Sequence, residues 1–339
     1  MNRFSFRILA LWAVAAATAL PQTKPPAKKW TPPKTSWGDP DLQGVWTSDN
    51  FYGVPFERPA QYGNREYLTD EEYAAKAKET DYLATSVQAG VYPKAGYWAR
   101  QKGVDAKAVP TNWTEYARRA PRQTSLIVDP PNGRTPPLTA YGESVRAAQA
   151  AARKPRPESW LDISIYDRCI TRGVAGSMFP VIYGNGSEIV QMPGLVAIRY
   201  EMIHETRLIP TDGRPHAPAD VRTYMGDPRG HWEGNTLVVE TTNFLGGTNG
   251  FGGNGGGLPY SDETRLVERF TRLDDRTVHY QITINDPKTY TAPWTAAFEI
   301  THEPGYRLFE YACHEGNYAM RNSLSAARAE EATEAAKKK

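Results

Sequence analysis

The sequence contains little cysteine and almost no excess of charge of one sign. Its 339 residues include two cysteines, and 40 Lys and Arg residues against 38 Asp and Glu residues leave a net charge of +2. A nucleic-acid surface normally needs a larger basic excess, so no nucleic-acid partner is predicted. The chain also lacks Cys-x-x-Cys, a dinucleotide glycine fingerprint, a phosphate-loop Gly-Lys-Ser/Thr and a Gly-x-Ser-x-Gly elbow. The sequence therefore predicts no organic cofactor.

One apolar run lies near the amino terminus. Ile8–Leu20 follows Arg3 and Arg7, and it is too short to span a bilayer. Ala17-Thr18-Ala19 has the small-x-small pattern of a cleavage site, so residues 1–19 are predicted to be a secretory signal peptide. No later run of 18 residues is apolar, and the mature chain is expected to have no membrane span. We expect an exported protein, periplasmic or extracellular.

The composition changes along the chain and predicts five parts. These are a signal peptide over 1–19, a Pro- and Lys-rich tether over 20–36, an irregular, partly helical wrapping segment over 37–158, a β-rich core over 159–324 and a charged helix or tail over 325–339. The tether favours extended polyproline II, which cannot fold alone.

The wrapping segment contains a few local signals. Gly44-Val45-Trp46 reads as a short strand, and Thr69–Glu72 is a capping box that begins a helix. Leu138–Arg153 predicts a second helix. The Tyr- and Trp-rich stretch between these helices has no clear period. We expect this half to wrap around the second half and to form no core of its own.

The second half alternates apolar and polar residues with a period of two, which is typical of strands. Val196–Leu208 predicts one strand with His204 on its apolar face, and Val278–Ile284 and Trp294–Ile300 alternate in the same way. Arg307–Cys313 is predicted to be a further strand. Short turns between consecutive strands indicate a mainly β fold, an antiparallel meander that closes into a barrel or forms a strongly curved sheet.

The two cysteines are predicted to form a disulfide in an oxidising compartment. Cys169 and Cys313 are 144 residues apart, and closing so long a loop is worth about 4–5 kcal/mol. The alternative is two separate buried thiols.

The candidate chemistry lies at predicted strand ends. All six histidines follow residue 200. We predict that His204 and His314 transfer protons and that Asp212 and Glu315 orient them. Substrate would be anchored by six further residues, which are Arg207, Arg214, Arg168, Arg172, Asn317 and Tyr200.

Two alternatives stay open for these residues. His204, His216 and His314 could bind a single transition metal, although their spacing matches no standard zinc pattern. The same side chains could instead cap turns and form salt bridges, without any role in catalysis.

Several segments resemble a large family of exported bacterial proteins of unknown function. They are Tyr166–Cys169 (YDRC), Tyr200–His204 (YEMIH), Asp212–His216 (DGRPH), Gly230–Val239 (GHWEGNTLVV) and Tyr311–Asn317 (YACHEGN). The resemblance extends from about Gly44 to about Arg328 and implies no particular reaction. Separately, Gly44-Val45-Trp46 before a meander is similar to lipocalin-like barrels, which hold apolar ligands.

These observations lead to three hypotheses. The first is an exported enzyme that acts on a small organic molecule by acid–base chemistry, as a lyase, isomerase or hydrolase. The second is a periplasmic lipocalin-like carrier that binds an apolar or aromatic ligand inside its barrel. The third is an envelope interaction protein that uses its Tyr- and Trp-rich amino-terminal half to bind a partner, so that deletion of residues 85–125 would remove binding. The sequence determines neither the substrate nor the oligomeric state.

Overall fold

The structure is a computed structural model that describes residues 30–88, 115–152, 154, 156–251 and 257–338. The predicted signal peptide over 1–19 lies outside the described residues, as does most of the segment 85–125 that a partner would bind.

The strands and helices confirm the mainly β prediction. Within the described ranges the strands are β1 (Gly44–Thr47), β2 (Ile127–Asp129), β3 (Gly186–Met192), β4 (Leu195–Tyr200), β5 (Thr206–Pro210), β6 (Asp227–Glu233), β7 (Thr236–Thr242), β8 (Gly247–Phe251), β9 (Leu258–Tyr260), β10 (Arg265–Asp274), β11 (Thr277–Asn285) and β12 (Trp294–Thr301). The α-helices in the same ranges are α1 (Asp70–Gln88), α2 (Ala140–Ala152), α3 (Val174–Met178) and α4 (Ala319–Lys337). None of these helices is long and apolar enough to cross a membrane.

The main sheet has ten strands, and every pairing in it is antiparallel. The strand order is β5-β4-β3-β1-β12-β11-β10-β7-β6, and β2 also pairs with β12. The strands therefore succeed one another around a ring in chain order, because β1 from the amino-terminal half pairs with both β3 and β12.

The ring is open between β5 and β6, since no described backbone ladder joins these two edge strands. They nevertheless approach each other: a Cβ on Gly230 of β6 would lie 3.0 Å from Ile209 Cγ2 of β5. Glycine at position 230 permits this approach. The strongly curved sheet is therefore confirmed, and the closed barrel is not formed.

The concave face of the sheet is packed with aromatic side chains. Phe298 lies at its centre, with ring centroids 5.2 Å from Tyr280, 5.9 Å from Phe51 and 6.1 Å from Phe179. Trp294, Phe298 and Tyr280 are fully buried. Side chains of this kind fill the interior of the curved sheet.

A buried ion pair crosses the same interior. Arg207 of β5 donates from Nη1 to Glu268 Oε1 of β10 over 3.0 Å and from Nη2 to Glu268 Oε2 over 2.5 Å. Its Nη2 also donates to Thr241 Oγ1 of β7 over 2.7 Å, and Tyr280 Oη donates to Glu268 Oε1 over 3.0 Å. The pair connects strands on both sides of the open edge.

The prediction of one strand over Val196–Leu208 is wrong. β4 ends at Tyr200 and β5 begins at Thr206, because Ile203 and His204 adopt φ values of 64° and 47°. A β-branched residue rarely adopts positive φ. The break reverses the alternation, so that Arg207 is buried, whereas His204 is exposed and not on an apolar strand face.

The predicted strand over Arg307–Cys313 is also wrong, because this segment is irregular in the structure. It is held from outside the sheet by the disulfide between Cys313 and Cys169, which confirms the predicted pairing. Asn317 supports the same corner, since its Nδ2 donates to the Asp167 carbonyl over 2.9 Å. The irregular segment forms one wall of a cavity.

Candidate functional site

A cavity of about 370 Å³ lies beside the break between β4 and β5. It is lined by residues from four separate segments, namely Glu115, Tyr183, Gly184, Glu201, Phe309, Glu310 and Tyr311. Its volume lies in the range of small-molecule sites. Carboxyl groups, phenol hydroxyls and an apolar ring therefore face one small space.

The Gly184-Asn185-Gly186 turn holds the Glu115 carboxyl group. The backbone N–H of Gly184 donates to Glu115 Oε1 over 3.1 Å, and Asn185 Nδ2 donates to Glu115 Oε2 over 3.0 Å. Asn185 Nδ2 also donates to Asp49 Oδ1 over 2.9 Å. One amide group therefore bridges two carboxyl groups that would otherwise repel each other.

Glu115 is an acid that keeps its proton at neutral pH. Burial raises its pKa to about 9, and its hydrogen bond with Asp49 and the nearby charges of Asp49 and Glu201 act in the same direction. Close carboxyl groups of this kind share a proton, as in other buried carboxyl pairs. The cavity consequently has a proton donor in its wall.

Glu201 presents the second carboxyl group of the cavity. The Tyr306 hydroxyl donates to Glu201 Oε2 over 2.5 Å, and the Gly186 N–H donates to the same oxygen over 3.2 Å. A Cβ on Gly186 would lie 2.7 Å from that oxygen, so a larger residue could not stand there without displacing Glu201. Both donors point at one oxygen of the carboxyl group and fix its position at the cavity.

Tyr183 and Tyr311 line the other end of the cavity, and Tyr166 and Arg172 are their neighbours. Burial raises the pKa of Tyr166 and of Tyr311, and the neighbouring Tyr183 acts in the same direction on both. The Arg172 guanidinium lies over the Tyr166 ring, with Cζ 5.6 Å from the centroid. This end is rich in hydrogen-bond donors.

His204 lies at the edge of this site. The distance from its Nδ1 to the Tyr311 carbonyl oxygen is 2.7 Å. A carbonyl only accepts hydrogen bonds, so Nδ1 carries a proton and donates. The structure thus brings His204 to the segment that contains His314, whose side chain is exposed.

The other predicted acid–base residues lie apart from the cavity lining. Asp212 forms an exposed ion pair with Arg214, with Oδ2 2.5 Å from Nη2, and therefore orients the arginine and not a histidine. The Glu315 side chain is exposed, and its backbone N–H donates to the Ala312 carbonyl. His216 Nδ1 lies 3.0 Å from Asp227 Oδ2, in a separate network with Glu240.

Most of the predicted substrate anchors also lie away from the cavity. Arg172 lies beside the cavity, whereas Arg168 stacks on the Trp160 ring at 5.1 Å. Arg207 is occupied by Glu268, Tyr200 is buried in the sheet interior and Asn317 contacts the disulfide, with Nδ2 3.1 Å from Cys169 Sγ.

The described residues include no group of three or more His, Cys, Asp or Glu side chains placed to bind a metal ion. His204, His216 and His314 have the separate surroundings given above.

A second cavity, of about 420 Å³, opens beside the edge strand β5. Thr171 Oγ1 donates there to Glu205 Oε2 over 2.6 Å, and burial raises the pKa of Glu205. Its described wall contains this one acid together with Arg207, which Glu268 already neutralises. It offers fewer reactive groups than the Glu115 cavity.

Asp49, Glu115, Glu201 and Tyr306 are not among the predicted site residues. Glu201 stands on the charged side of a continuous strand in the sequence pattern, and Glu115 follows a stretch without a period. Gly184-Asn185-Gly186 was the available signal, because two glycines around an amide allow backbone to approach a polar group closely.

Comparisons with protein-family models, curated proteins and solved structures gave no match for this chain. The chemistry of the site therefore rests on its own residues.

Replacing Glu115 by glutamine is expected to flatten the pH dependence of stability. Glu115 has a folded-state pKa of about 9 against an ordinary value of 4.5, so between these values the folded state holds a proton that the unfolded state has released. The free energy of unfolding then falls as pH rises, by up to about 1.4 kcal/mol per pH unit, and the loss is complete above pH 9.

Urea denaturation at pH 5.5 and pH 8 measures this slope. Glu115→Gln should gain stability relative to wild type at pH 8 and show little difference at pH 5.5. The matched control is Glu310→Gln, which changes an exposed carboxyl group of the same cavity. Equal slopes in wild type and Glu115→Gln would contradict the assigned protonation.

Proposed function

We propose that the protein is an exported enzyme that transfers protons to and from a small organic molecule in the Glu115 cavity, as a lyase or isomerase. One observation carries this proposal: a carboxyl group that keeps its proton at neutral pH shares a small cavity with a second carboxyl group that accepts hydrogen bonds. An acid and a base that face one substrate are the requirement of general acid–base catalysis.

The roles follow from the two environments. Glu201 accepts a proton from substrate carbon, and the electrons of that C–H bond form a new carbon–carbon double bond. Glu115 donates its proton to a substrate oxygen, which either becomes an enol hydroxyl or leaves as water. Turnover leaves Glu201 protonated and Glu115 ionised, and exchange with solvent restores both groups.

The histidine hypothesis takes a smaller part in this proposal. His204 is fixed at the rim by the Tyr311 carbonyl, where it can exchange protons between the cavity and solvent. His314 is exposed and receives no role. The proposal thus keeps the acid–base chemistry predicted from the sequence and transfers it to carboxyl groups.

Deuterium incorporation tests this proposal. The mature protein is incubated in D2O with a library of small hydroxy, oxo and phenolic compounds, and mass spectrometry follows deuterium gain, loss of water or gain of D2O. We expect at least one compound to change, and Glu115→Gln and Glu201→Gln to slow that reaction by about 100-fold or more. Glu299→Gln, which changes an exposed carboxyl group outside the cavity lining, should retain the rate.

Two results would overturn the proposal. One is a reaction whose rate is unchanged in both the Glu115 and Glu201 variants. The other is binding of library compounds without any chemical change, which would favour the carrier alternative at this cavity.

Export is part of the same proposal. Its support is the bridged cysteine pair, since disulfides persist mainly in oxidising compartments. Amino-terminal sequencing of the protein from its native host should begin at Leu20. A mature protein that retains Met1 and remains with the cytoplasmic fraction would contradict export.

A further inference from the structure

One arginine near the cavity is buried without a carboxylate. Arg172 is 3% exposed, and its Nε and Nη2 have no hydrogen-bond partner within the described ranges. The groups whose charges act on it are Tyr166, Tyr183 and Tyr311. Burial of a guanidinium without a matching anion is costly, because the group loses its hydration and gains no ion pair in return.

Arg207 provides the contrast within the same chain. It is buried to a similar degree, at 4% exposure, but both of its terminal nitrogens donate to the Glu268 carboxylate. The fold therefore supplies a carboxylate for one deeply buried arginine. For Arg172 it supplies phenol hydroxyls instead.

Three tyrosines surround this guanidinium: its Cζ lies 5.6 Å from the centroid of the Tyr166 ring, and Tyr183 and Tyr311 are close enough to act on its charge. The Tyr166 hydroxyl lies 3.6 Å from Met202 Sδ, and Tyr183 is a close neighbour of both Tyr166 and Tyr311. Tyr183 and Tyr311 line the cavity, so this donor cluster borders the space that a ligand would occupy. A neutral phenol donates one hydrogen bond, and a guanidinium matches the two oxygens of a carboxylate.

We propose that Arg172 and the hydroxyls of Tyr166, Tyr183 and Tyr311 bind the carboxylate of a small organic acid. This inference rests on the proposed use of the cavity for substrate. The body of the acid is aromatic, because Phe309 and the two lining tyrosines present rings to it. The substrate class is therefore an aryl carboxylic acid that also carries an oxygen for Glu115 to protonate.

The charges of the cavity agree with this orientation. The groups that act on Glu115 are Asp49 and Glu201 at one end, whereas those that act on Arg172 are the tyrosines at the other. An anionic ligand group is thus attracted to the arginine end and repelled from Glu201.

Isothermal titration calorimetry with sodium benzoate and benzamide tests the proposal on the full mature chain at pH 7. The two probes share ring and size and differ in charge. We expect benzoate to bind at least tenfold more tightly than benzamide, and Arg172→Gln to remove that preference. Arg307→Gln, which removes an exposed charge from the same irregular segment, should leave the preference intact.

A second substitution covers the case in which Arg172→Gln fails to fold. Tyr183→Phe keeps the ring and removes one donor, and should weaken benzoate binding severalfold without changing benzamide binding. Thermal unfolding curves identify the variants that are folded. Equal affinity for the two probes, no binding of either probe, or equal loss in Arg172→Gln and Arg307→Gln would each overturn the inference.

Failure of carboxylate binding can be distinguished from failure of the proposed enzyme activity. Benzoate binding is also measured on Glu115→Gln, in which acid catalysis is removed. If binding depends on Arg172 while no library compound reacts, carboxylate recognition stands and the proposed enzyme fails. If a neutral compound reacts at an unchanged rate in Arg172→Gln, the enzyme stands and carboxylate recognition fails.

Discussion

Replacement of Glu268 by alanine is expected to lower the free energy of unfolding by about 3–5 kcal/mol. Glu268 is fully buried, and the Arg207 side chain that it neutralises is 2% exposed. The substitution leaves the guanidinium buried without its anion and removes the acceptor of the Tyr280 hydroxyl. The measured loss therefore includes the cost of the unpaired Arg207 charge as well as the loss of the hydrogen bonds to Glu268.

Urea denaturation at neutral pH measures this loss. Two further variants serve as controls. Glu299→Ala removes a carboxyl group from an exposed position of β12 and should change stability by less than about 0.5 kcal/mol. The double substitution Arg207→Met with Glu268→Leu removes both charges and should recover most of the loss. A loss below 1 kcal/mol in Glu268→Ala would show that the pair does not hold the open edge together.

The double substitution Cys169→Ala with Cys313→Ala is expected to lower the free energy of unfolding by about 5 kcal/mol. The bridge closes a loop of 144 residues, and the entropy removed from the unfolded chain grows with the logarithm of that length. The loss is similar in size to the whole stability of many domains.

The same change should weaken ligand binding in protein that is still folded. Cys313 anchors the irregular segment that brings Phe309 and Tyr311 to the cavity. Benzoate titration of the double variant at low temperature measures this effect, with wild type under dithiothreitol as the matched sample. Unchanged stability and unchanged benzoate affinity in both samples would show that the segment is held by its other contacts.

Strand alternation predicted much of the fold. Val278–Ile284 and Trp294–Ile300 form strands whose apolar residues are buried, because side chains that alternate at period two must divide between core and solvent. Gly44–Trp46 is a strand, and Leu138–Arg153 contains α2. These predictions depend only on residues that are neighbours in the sequence.

The candidate site was predicted only in part. The sequence predicted His204, Arg172 and the Tyr311–His314 segment as parts of the site. In the structure His204 contacts the Tyr311 carbonyl, and Arg172 lies close to Tyr311. Glu115 and Glu201 were missed, since a charged residue in an irregular stretch or on a polar strand face is normally solvated. Burial, which gives Glu115 its proton, has no local sequence signal.

The period-two alternation of the sequence by itself determined the mainly β class, because periodicity is a property of the chain alone. The pair of cysteines predicted a disulfide, and the structure confirmed it. Tertiary structure decided the break at Ile203 and His204, the burial of Arg207 and the meeting of Asp49, Glu115 and Glu201. Those three carboxyl groups come from distant segments, and only their packing removes water from between them. That loss of water raises the pKa of Glu115 and makes the cavity chemically distinct from the surface.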